Sequence, residues 1–175
     1  KFFKKNKLQL NKNLIIDNVN DCNAYNNNWY TYLRNKKWNI CDSSNSLIWE
    51  DLTDCTVYDH GFYEIEPIKY DRYLYNEDHT FLNRNYLDIF VYKNKWYDTY
   101  YSDTTYNLYD HDNNLIANKL YFSDVYLDGS YVIKDSSKKY KLFTSNHKLI
   151  IESNNVITLY PNGWYKIEEN NRSSL

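Results

Sequence analysis

The sequence contains little glycine, proline and cysteine, and it has no methionine. Its 175 residues include 3 Gly, 2 Pro and 3 Cys. So few glycines nearly exclude a glycine-rich phosphate loop, and neither a GxSxG nucleophile motif nor a catalytic cysteine signature is present. Cys22, Cys41 and Cys55 are too few and too unevenly spaced for a disulfide framework. Their odd number favours a reducing, intracellular compartment.

The sequence also lacks a long apolar run and an excess of either charge. No segment is long and apolar enough to span a bilayer, and the opening KFFKKNK has neither the apolar core nor the cleavage site of a secretory signal. Because the chain begins at Lys1 and contains no Met, we expect further sequence upstream, so its targeting cannot be read. With 21 basic and 23 acidic residues, the net charge is -2, which disfavours nucleic acid as a partner.

Tyrosine is the most unusual abundance, with 21 residues, and Asn and Lys are also frequent. This bias is typical of an AT-rich genome, so part of the tyrosine excess has a codon origin and is not a functional signal. The hydrophobic fraction of 42% still predicts a folded chain. Its length predicts a single domain.

A repeat of about 34 residues is the strongest pattern in the sequence. A landmark position recurs with spacings of 33, 34, 34 and 34 residues at Asn28, Gly61, Lys95, Gly129 and Gly163. Tyrosine follows two residues later in every copy, at Tyr30, Tyr63, Tyr97, Tyr131 and Tyr165. A second tyrosine column contains Tyr25, Tyr58, Tyr92, Tyr126 and Tyr160, and an apolar pair recurs at 14–15, 47–48, 81–82, 115–116 and 149–150.

Within a copy, the apolar residues alternate with polar ones, as they do in half-buried strands. Tyr131 and Ile133 would share one face of a strand, and Tyr140 and Leu142 would share another. Segments rich in Asp, Asn and Ser separate these runs and are typical of turns. Each copy therefore predicts three or four short strands joined by hairpins, in an all-β fold.

The order of elements in Gly129–Ile133, Lys139–Leu142 and Asn146–Ile150 resembles that of the WG-repeat proteins, a bacterial family of tandem β-repeats. The MORN-like repeats, also built from Gly-aromatic hairpins, are a second resemblance. Both imply an array of β-hairpins, and neither implies a specific reaction.

The copies predict one β-repeat domain over 1–175, with partial repeats at both ends. The full repeats are 28–60, 61–94, 95–128 and 129–162, and the partial repeats are 1–27 and 163–175. The N-terminal fragment has the later columns, and the C-terminal fragment is predicted to carry only the first strand. Together they would complete a fifth repeat, as in a closed five-bladed propeller-like ring, but an open β-repeat array would show the same pattern.

The candidate binding residues are large aromatic side chains that precede the first tyrosine column. They are Trp29, Phe62, Trp96 and Trp164, with Ser130 in the remaining copy. Next to polar residues, such a row could stack on sugar rings or contact a protein partner. Packing between successive sheets is the alternative, and it is the one we favour because repeated aromatics in a repeat fold usually form its core.

Other polar residues are better explained by structure than by chemistry. Asp110, Asp112 and Asn114 imitate the start of a calcium loop, but the later Gly and Glu are missing, so a hairpin turn is predicted. The histidines, His60, His79, His111 and His147, lack zinc-site spacings and are predicted to be solvated turn residues. Cys22 and Cys55 are repeat-equivalent, and we expect buried free thiols rather than a disulfide.

The sequence thus predicts a non-catalytic protein-binding or structural module, a component or adaptor of a larger assembly, with no cofactor and no bound metal. A carbohydrate-binding module that uses the exposed aromatics is the alternative. An enzyme would need converging acids, which cannot be recognised from the sequence.

Overall fold

The computed structural model describes residues 2–4, 7–10, 13–58, 60–84, 86–100, 105–169 and 172–174. The described residues form β-strands joined by turns, and none of them lies in a helix. The sheets of the described residues are antiparallel, and within each sheet neighbouring strands are consecutive in the sequence. The all-β array of hairpin repeats predicted from the sequence is therefore confirmed, while the choice between a ring and an open array stays a prediction.

The first of two compact units, Lys1–Asn85, contains three sheets. Sheet 1 consists of β1 Phe2–Lys4, β2 Lys7–Leu10 and β3 Asn13–Asp17. Sheet 2 consists of β4 Asp21–Ala24, β5 Tyr30–Arg34, β6 Lys37–Cys41 and β7 Leu47–Leu52. Sheet 3 consists of β8 Asp54–Val57, β9 Tyr63–Ile68, β10 Asp71–Tyr75 and β11 Phe81–Arg84.

The second unit, Tyr86–Leu175, also contains three sheets. Sheet 4 consists of β12 Asp88–Val91, β13 Tyr97–Tyr100, β14 Tyr106–Tyr109 and β15 Leu115–Leu120. Sheet 5 consists of β16 Phe122–Val125, β17 Tyr131–Lys134, β18 Tyr140–Phe143 and β19 Leu149–Ser153. Sheet 6 consists of β20 Ile157–Leu159, β21 Tyr165–Glu169 and β22 Arg172–Ser174.

The four-stranded sheets are offset from the repeat copies. The last strand of each copy pairs with the first strand of the following copy: β8 ends the copy 28–60, yet its Val57 is the register partner of Tyr63 in β9. A tight turn connects these two strands, and within it the Gly61 N–H donates a hydrogen bond to the Tyr58 carbonyl at 3.1 Å. The fragment 163–175, predicted to carry one strand, contains β21 and β22, which pair as a hairpin.

The landmark column of the sequence lies in these turns. All five residues have positive φ, at 65° for Asn28, 88° for Gly61, 67° for Lys95, 82° for Gly129 and 82° for Gly163. Glycine adopts this left-handed region without a steric penalty, and asparagine tolerates it, whereas a lysine there is strained. The repeat therefore conserves a backbone conformation at this position more strictly than a residue type.

The second strand of each four-stranded sheet is buried on both faces. The first tyrosine column begins these strands, and Tyr30, Tyr63, Tyr97 and Tyr131 are at most 4% exposed. The next two residues are also buried in all four sheets. Because side chains alternate along a strand, consecutive buried residues mean that both faces of these strands are covered.

Apolar side chains fill the space between successive sheets of each unit. In the first unit, Ile40 and Leu52 of sheet 2 share a core cluster with Val57 and Ile65 of sheet 3. The equivalent residues of the second unit form a matching cluster between sheets 4 and 5, and they are Leu108, Leu120, Val125 and Ile133.

Candidate ligand-binding cavity

The four predicted binding side chains occupy two different environments. Trp29, Phe62 and Trp96 are 8%, 3% and 5% exposed, whereas Trp164 is 64% exposed. A ligand cannot stack on the three buried rings unless the neighbouring sheets separate. These three side chains therefore have a packing role in the structure, and Trp164 is accessible.

Trp29 and Trp96 join neighbouring sheets through the same three-ring cluster. The ring centroid of Trp29 lies 5.4 Å from that of Tyr63 and 5.8 Å from that of His79, both in the following sheet. Sixty-seven residues later, Trp96 lies 5.4 Å from Tyr131 and 6.1 Å from His147. Each unit thus contains one Trp–Tyr–His cluster between two of its four-stranded sheets.

The prediction that His79 and His147 are solvated turn residues agrees with the structure, in which both lie in exposed turns. Each imidazole also contacts a tyrosine, because the Nδ1 atoms lie 3.0 Å and 3.2 Å from the hydroxyl oxygens of Tyr63 and Tyr131. The left-handed turn that precedes the fourth strand aims each imidazole back at the second strand. Each contact joins residues 16 positions apart, so it cannot be predicted from the sequence of the turn alone.

The segment that imitates a calcium loop is a turn between β14 and β15. The Asp110 carboxylate accepts the backbone N–H groups of Asp112 at 3.0 Å and Asn114 at 2.8 Å. Across the described ranges, no group of three or more His, Cys, Asp or Glu residues is arranged to hold a metal ion. Among the same residues, no helix has the length and apolar character to cross a membrane.

The three cysteines are free thiols. Cys41 is buried, and Cys22 and Cys55 are partly buried. Burial raises the pKa of Cys55 to about 12, with the charges of Asp54 and Glu64 adding to the effect. Cys55 is therefore protonated and a poor nucleophile at neutral pH.

A cavity of about 480 Å³ lies within the second unit, between one face of sheet 4 and the first strand of sheet 5. Because side chains alternate along a strand, Asp88, Phe90 and Tyr92 project to the same face of sheet 4. Their cross-strand neighbours on that face continue the wall, since Phe90 is paired with Asp98, Asp88 with Tyr100, and Tyr100 in turn with Tyr106. The opposite wall comes from β16, through Phe122, Ser123 and Asp124.

Asp98 is the most deeply buried acid of this cavity, at 4% exposure. Its Oδ2 atom accepts hydrogen bonds from the Tyr92 hydroxyl and from the Ser123 hydroxyl, both at 2.6 Å. The Oδ1 atom is also buried and has no hydrogen-bond partner among the described residues. Tyr92 and Ser123 belong to different sheets, so this carboxylate connects sheet 4 to sheet 5.

The environment of Asp98 favours its protonated form more than water does. Burial raises the pKa of this carboxyl to about 6, and the nearby Asp124 charge adds to the rise, while the two hydroxyl hydrogen bonds oppose it. Burial also raises the pKa of Tyr92, with the Asp98 charge adding to the effect. Tyr92 therefore remains a hydrogen-bond donor throughout the physiological range.

Sequence reasoning did not identify this cavity. The column that contains Asp98 also contains Thr31, Glu64, Val132 and Lys166, which indicates only that its members are mostly polar. The aligned copies contain one signal that Asp98 is buried. It occupies the same strand position as Val132 of sheet 5, which is fully buried. The contact to Ser123 depends on how two sheets stack, and the columns do not contain that information.

Comparison with known proteins gives no family for the chain. No family model matches it, and no curated protein matches it. Among solved structures, it is similar to the WD40 beta propeller domain of Doa1, with 10% sequence identity and a TM-score of 0.36. The match covers 90% of this chain and 64% of that chain. A similarity of this size carries no information about function.

Proposed function

We propose that the chain is a non-catalytic binding module that attaches to a protein partner, as a component or adaptor of a larger assembly. One observation carries the proposal: every four-stranded sheet exposes an apolar side chain at the same place. The fourth strand of each sheet is an edge strand. Its first residue is 47–50% exposed in all four sheets, and these residues are Leu47, Phe81, Leu115 and Leu149.

The turns before these strands explain why the position is the same in each sheet. The residue two places earlier has a positive φ in all four of these sheets, with values of 71° for Asn45, 61° for His79, 65° for Asn113 and 62° for His147. A common turn geometry therefore starts each fourth strand in the same register. Single exposed apolar residues are ordinary, but one that recurs in each four-stranded sheet offers a partner an equivalent anchor in every sheet.

This role is tested by site-specific photo-crosslinking in the native source. A benzoylphenylalanine at position 115 should crosslink to one partner, and the same probe at the exposed Asn118 of β15 is the matched control. Leu115→Ser with Leu149→Ser should reduce copurification of that partner, while Asn118→Ser should not. A chain that remains uncrosslinked at 115, or that crosslinks equally at 118, would contradict the proposal.

The relationship to WG-repeat proteins belongs to this proposal as well. It is supported by the tandem hairpins and by the left-handed landmark turns, which place a glycine at three of the five landmark positions. Analogy with such repeat folds is what favours a binding or structural role over a catalytic one.

Carbohydrate binding is the second candidate, and the exposure of Trp164 is the observation that favours it. At 64% exposure its indole face is free to stack on a sugar ring. A glycan that quenches the tryptophan fluorescence of the wild-type chain but not that of Trp164→Phe would support this candidate. Equal quenching of both proteins would exclude Trp164 as the contact.

A further inference from the structure

The cavity between sheets 4 and 5 has walls of two chemical kinds, aromatic and acidic. Phe90 and Tyr92 form an edge-to-face pair with centroids 4.8 Å apart, and Tyr100 and Tyr106 lie 4.8 Å apart in a tilted arrangement. Aromatic faces attract cations because the ring carries a negative quadrupole on its face. The cavity thus presents several such rings around one space of about 480 Å³.

Three carboxyl groups share this space without a basic residue. Asp88 and Asp124 line the cavity with Asp98, and none of the described lining residues is Lys, Arg or His. Two of these charges act on one neighbouring group, because Asp98 and Asp88 both raise the pKa of Tyr100, after the larger effect of burial. An anionic ligand would be repelled here, whereas a positive charge would offset the cost of ionising a buried carboxyl.

The unsatisfied oxygen of the buried Asp98 supplies a second observation, beyond the number of acids in the cavity. Its Oδ1 atom lacks a hydrogen-bond partner among the described residues, although more than nine-tenths of the residue is buried. Native structures rarely leave such an oxygen unsatisfied. A group with N–H donors and a positive charge would satisfy it, once a small movement at the cavity wall brings the oxygen within reach.

The chemistry of the walls selects among possible cations. The acids are not arranged as a metal site within the described residues, and aromatic walls do not suit a small hard ion, which prefers a cage of oxygens. A neutral sugar would gain from the rings but not from the accumulated negative charge. We propose that this cavity binds an alkylammonium group, supplied either by a lysine side chain of a protein partner or by a free amine.

The proposal stands independently of the exposed apolar positions of the fourth strands. Phe90 is 57% exposed and lies at the cavity wall, so its ring is available to an entering ligand. In the bound state, the ammonium group would lie among the carboxylates and the alkyl chain would lie along the rings. The cavity would therefore recognise both the charge and the aliphatic chain of the ligand.

Binding is tested with the full chain by titration calorimetry and by NMR of aromatic resonances. The probes are n-butylamine, acetyl-lysine-methylamide with its free side-chain amine, and choline, with methyl glucoside as the neutral comparison. We expect saturable binding of butylamine or of the lysine derivative, with shifts in tyrosine ring signals, and weaker binding of choline, which has no N–H donor for Asp98. Tighter binding of the lysine derivative would assign the ligand to a protein partner, and tighter binding of butylamine would assign it to a free amine.

Variants separate the cavity from general charge attraction. Asp98→Asn should weaken binding by about tenfold or more, as expected for the loss of a charge-assisted contact. Phe90→Ala removes a largely exposed ring and should weaken binding without unfolding the chain. Asp112→Asn, in the exposed turn before β15, changes the net charge equally and should leave affinity unchanged. Binding of the glucoside alone, no binding of any amine, or equal affinities in all variants would overturn the proposal.

Discussion

At the scale of single residues, the same sequence position has two roles in different copies. Trp96 and Trp164 are repeat-equivalent, but Trp96 is 5% exposed between two sheets and Trp164 is 64% exposed. Sequence columns alone cannot distinguish them, because burial depends on what lies opposite each ring. The energetic consequences of removing the two side chains should therefore differ greatly.

We expect Trp96→Ala to lower the free energy of unfolding by about 3–5 kcal/mol, because it empties a packed site against Tyr131 and His147. Trp164→Ala should change it by no more than about 0.5 kcal/mol, as is usual for exposed positions. Urea denaturation followed by circular dichroism measures both. Similar losses for the two variants would mean that Trp164 is also packed in solution.

The ionisation of Asp98 should make stability depend on pH. Its pKa is about 6 in the folded chain and 3.8 for the ordinary side chain, so the folded state binds the proton more tightly. This contribution to stability is complete below pH 3.8 and is lost as the pH rises through 6. A shift of about two units corresponds to roughly 3 kcal/mol.

Asp98→Asn removes this titration and leaves Asp88 and Asp124 in place. The unfolding free energy of the wild type, relative to that of the variant, should therefore fall between about pH 4 and pH 7. Tyr92, Tyr100 and Tyr106, which also face the carboxyl, do not ionise in that window because their pKa values are raised. Parallel pH profiles for the two proteins would show that Asp98 does not titrate in this window.

At the scale of elements, turn geometry defines the repeat. The landmark turn has a positive φ whether its residue is Asn, Gly or Lys. A Cβ at Gly129 would also lie 3.1 Å from the Ser145 Cβ, so side chains are disfavoured there for a second reason. In the copy 95–128, the landmark residue is Lys95, which is not a residue type that favours a positive φ.

Replacing Lys95 by Gly should relieve left-handed strain worth about 1–2 kcal/mol, offset by roughly 0.5–1 kcal/mol of extra backbone entropy in the unfolded chain. The expected net gain therefore lies between zero and about 1.5 kcal/mol. The reciprocal change, Gly129→Ala, should destabilise by about 1–2 kcal/mol for the same steric reason. Thermal melts of both variants check the pair, and a loss of stability in Lys95→Gly would show that the lysine side chain makes a compensating contact.

Strands and turns could be predicted from the sequence because both depend on local chemistry. Alternation predicts β17 and β18, and the polar Asp110 segment predicts the turn before β15. Two features could not be predicted in this way. The first is the pairing of β8 with β9, because the repeat pattern does not show which strands share a sheet. The second is the Asp98 cavity, because Ser123 lies 25 positions from Asp98 and in a different sheet.

At the scale of the whole molecule, the same Trp–Tyr–His cluster occurs in both units. Trp29 contacts Tyr63 and His79 in the first unit, and Trp96 contacts Tyr131 and His147 in the second. The two clusters share no residue. In repeat proteins stability is close to a sum of repeat and nearest-neighbour contributions, so interfaces that share no residue should act separately.

Trp29→Phe and Trp96→Phe should therefore have additive effects on the unfolding free energy, to within about 0.5 kcal/mol. Phenylalanine keeps most of the apolar packing, so each change should cost only about 1–2 kcal/mol and the double variant should remain folded. The matched comparison is Trp96→Phe combined with His147→Ala, since these side chains are in contact and should couple by 0.5 kcal/mol or more. Urea denaturation of the single and double variants measures both couplings. Coupling of Trp29 to Trp96 as large as that of Trp96 to His147 would contradict nearest-neighbour stability, because energy would then pass between clusters that have no residue in common.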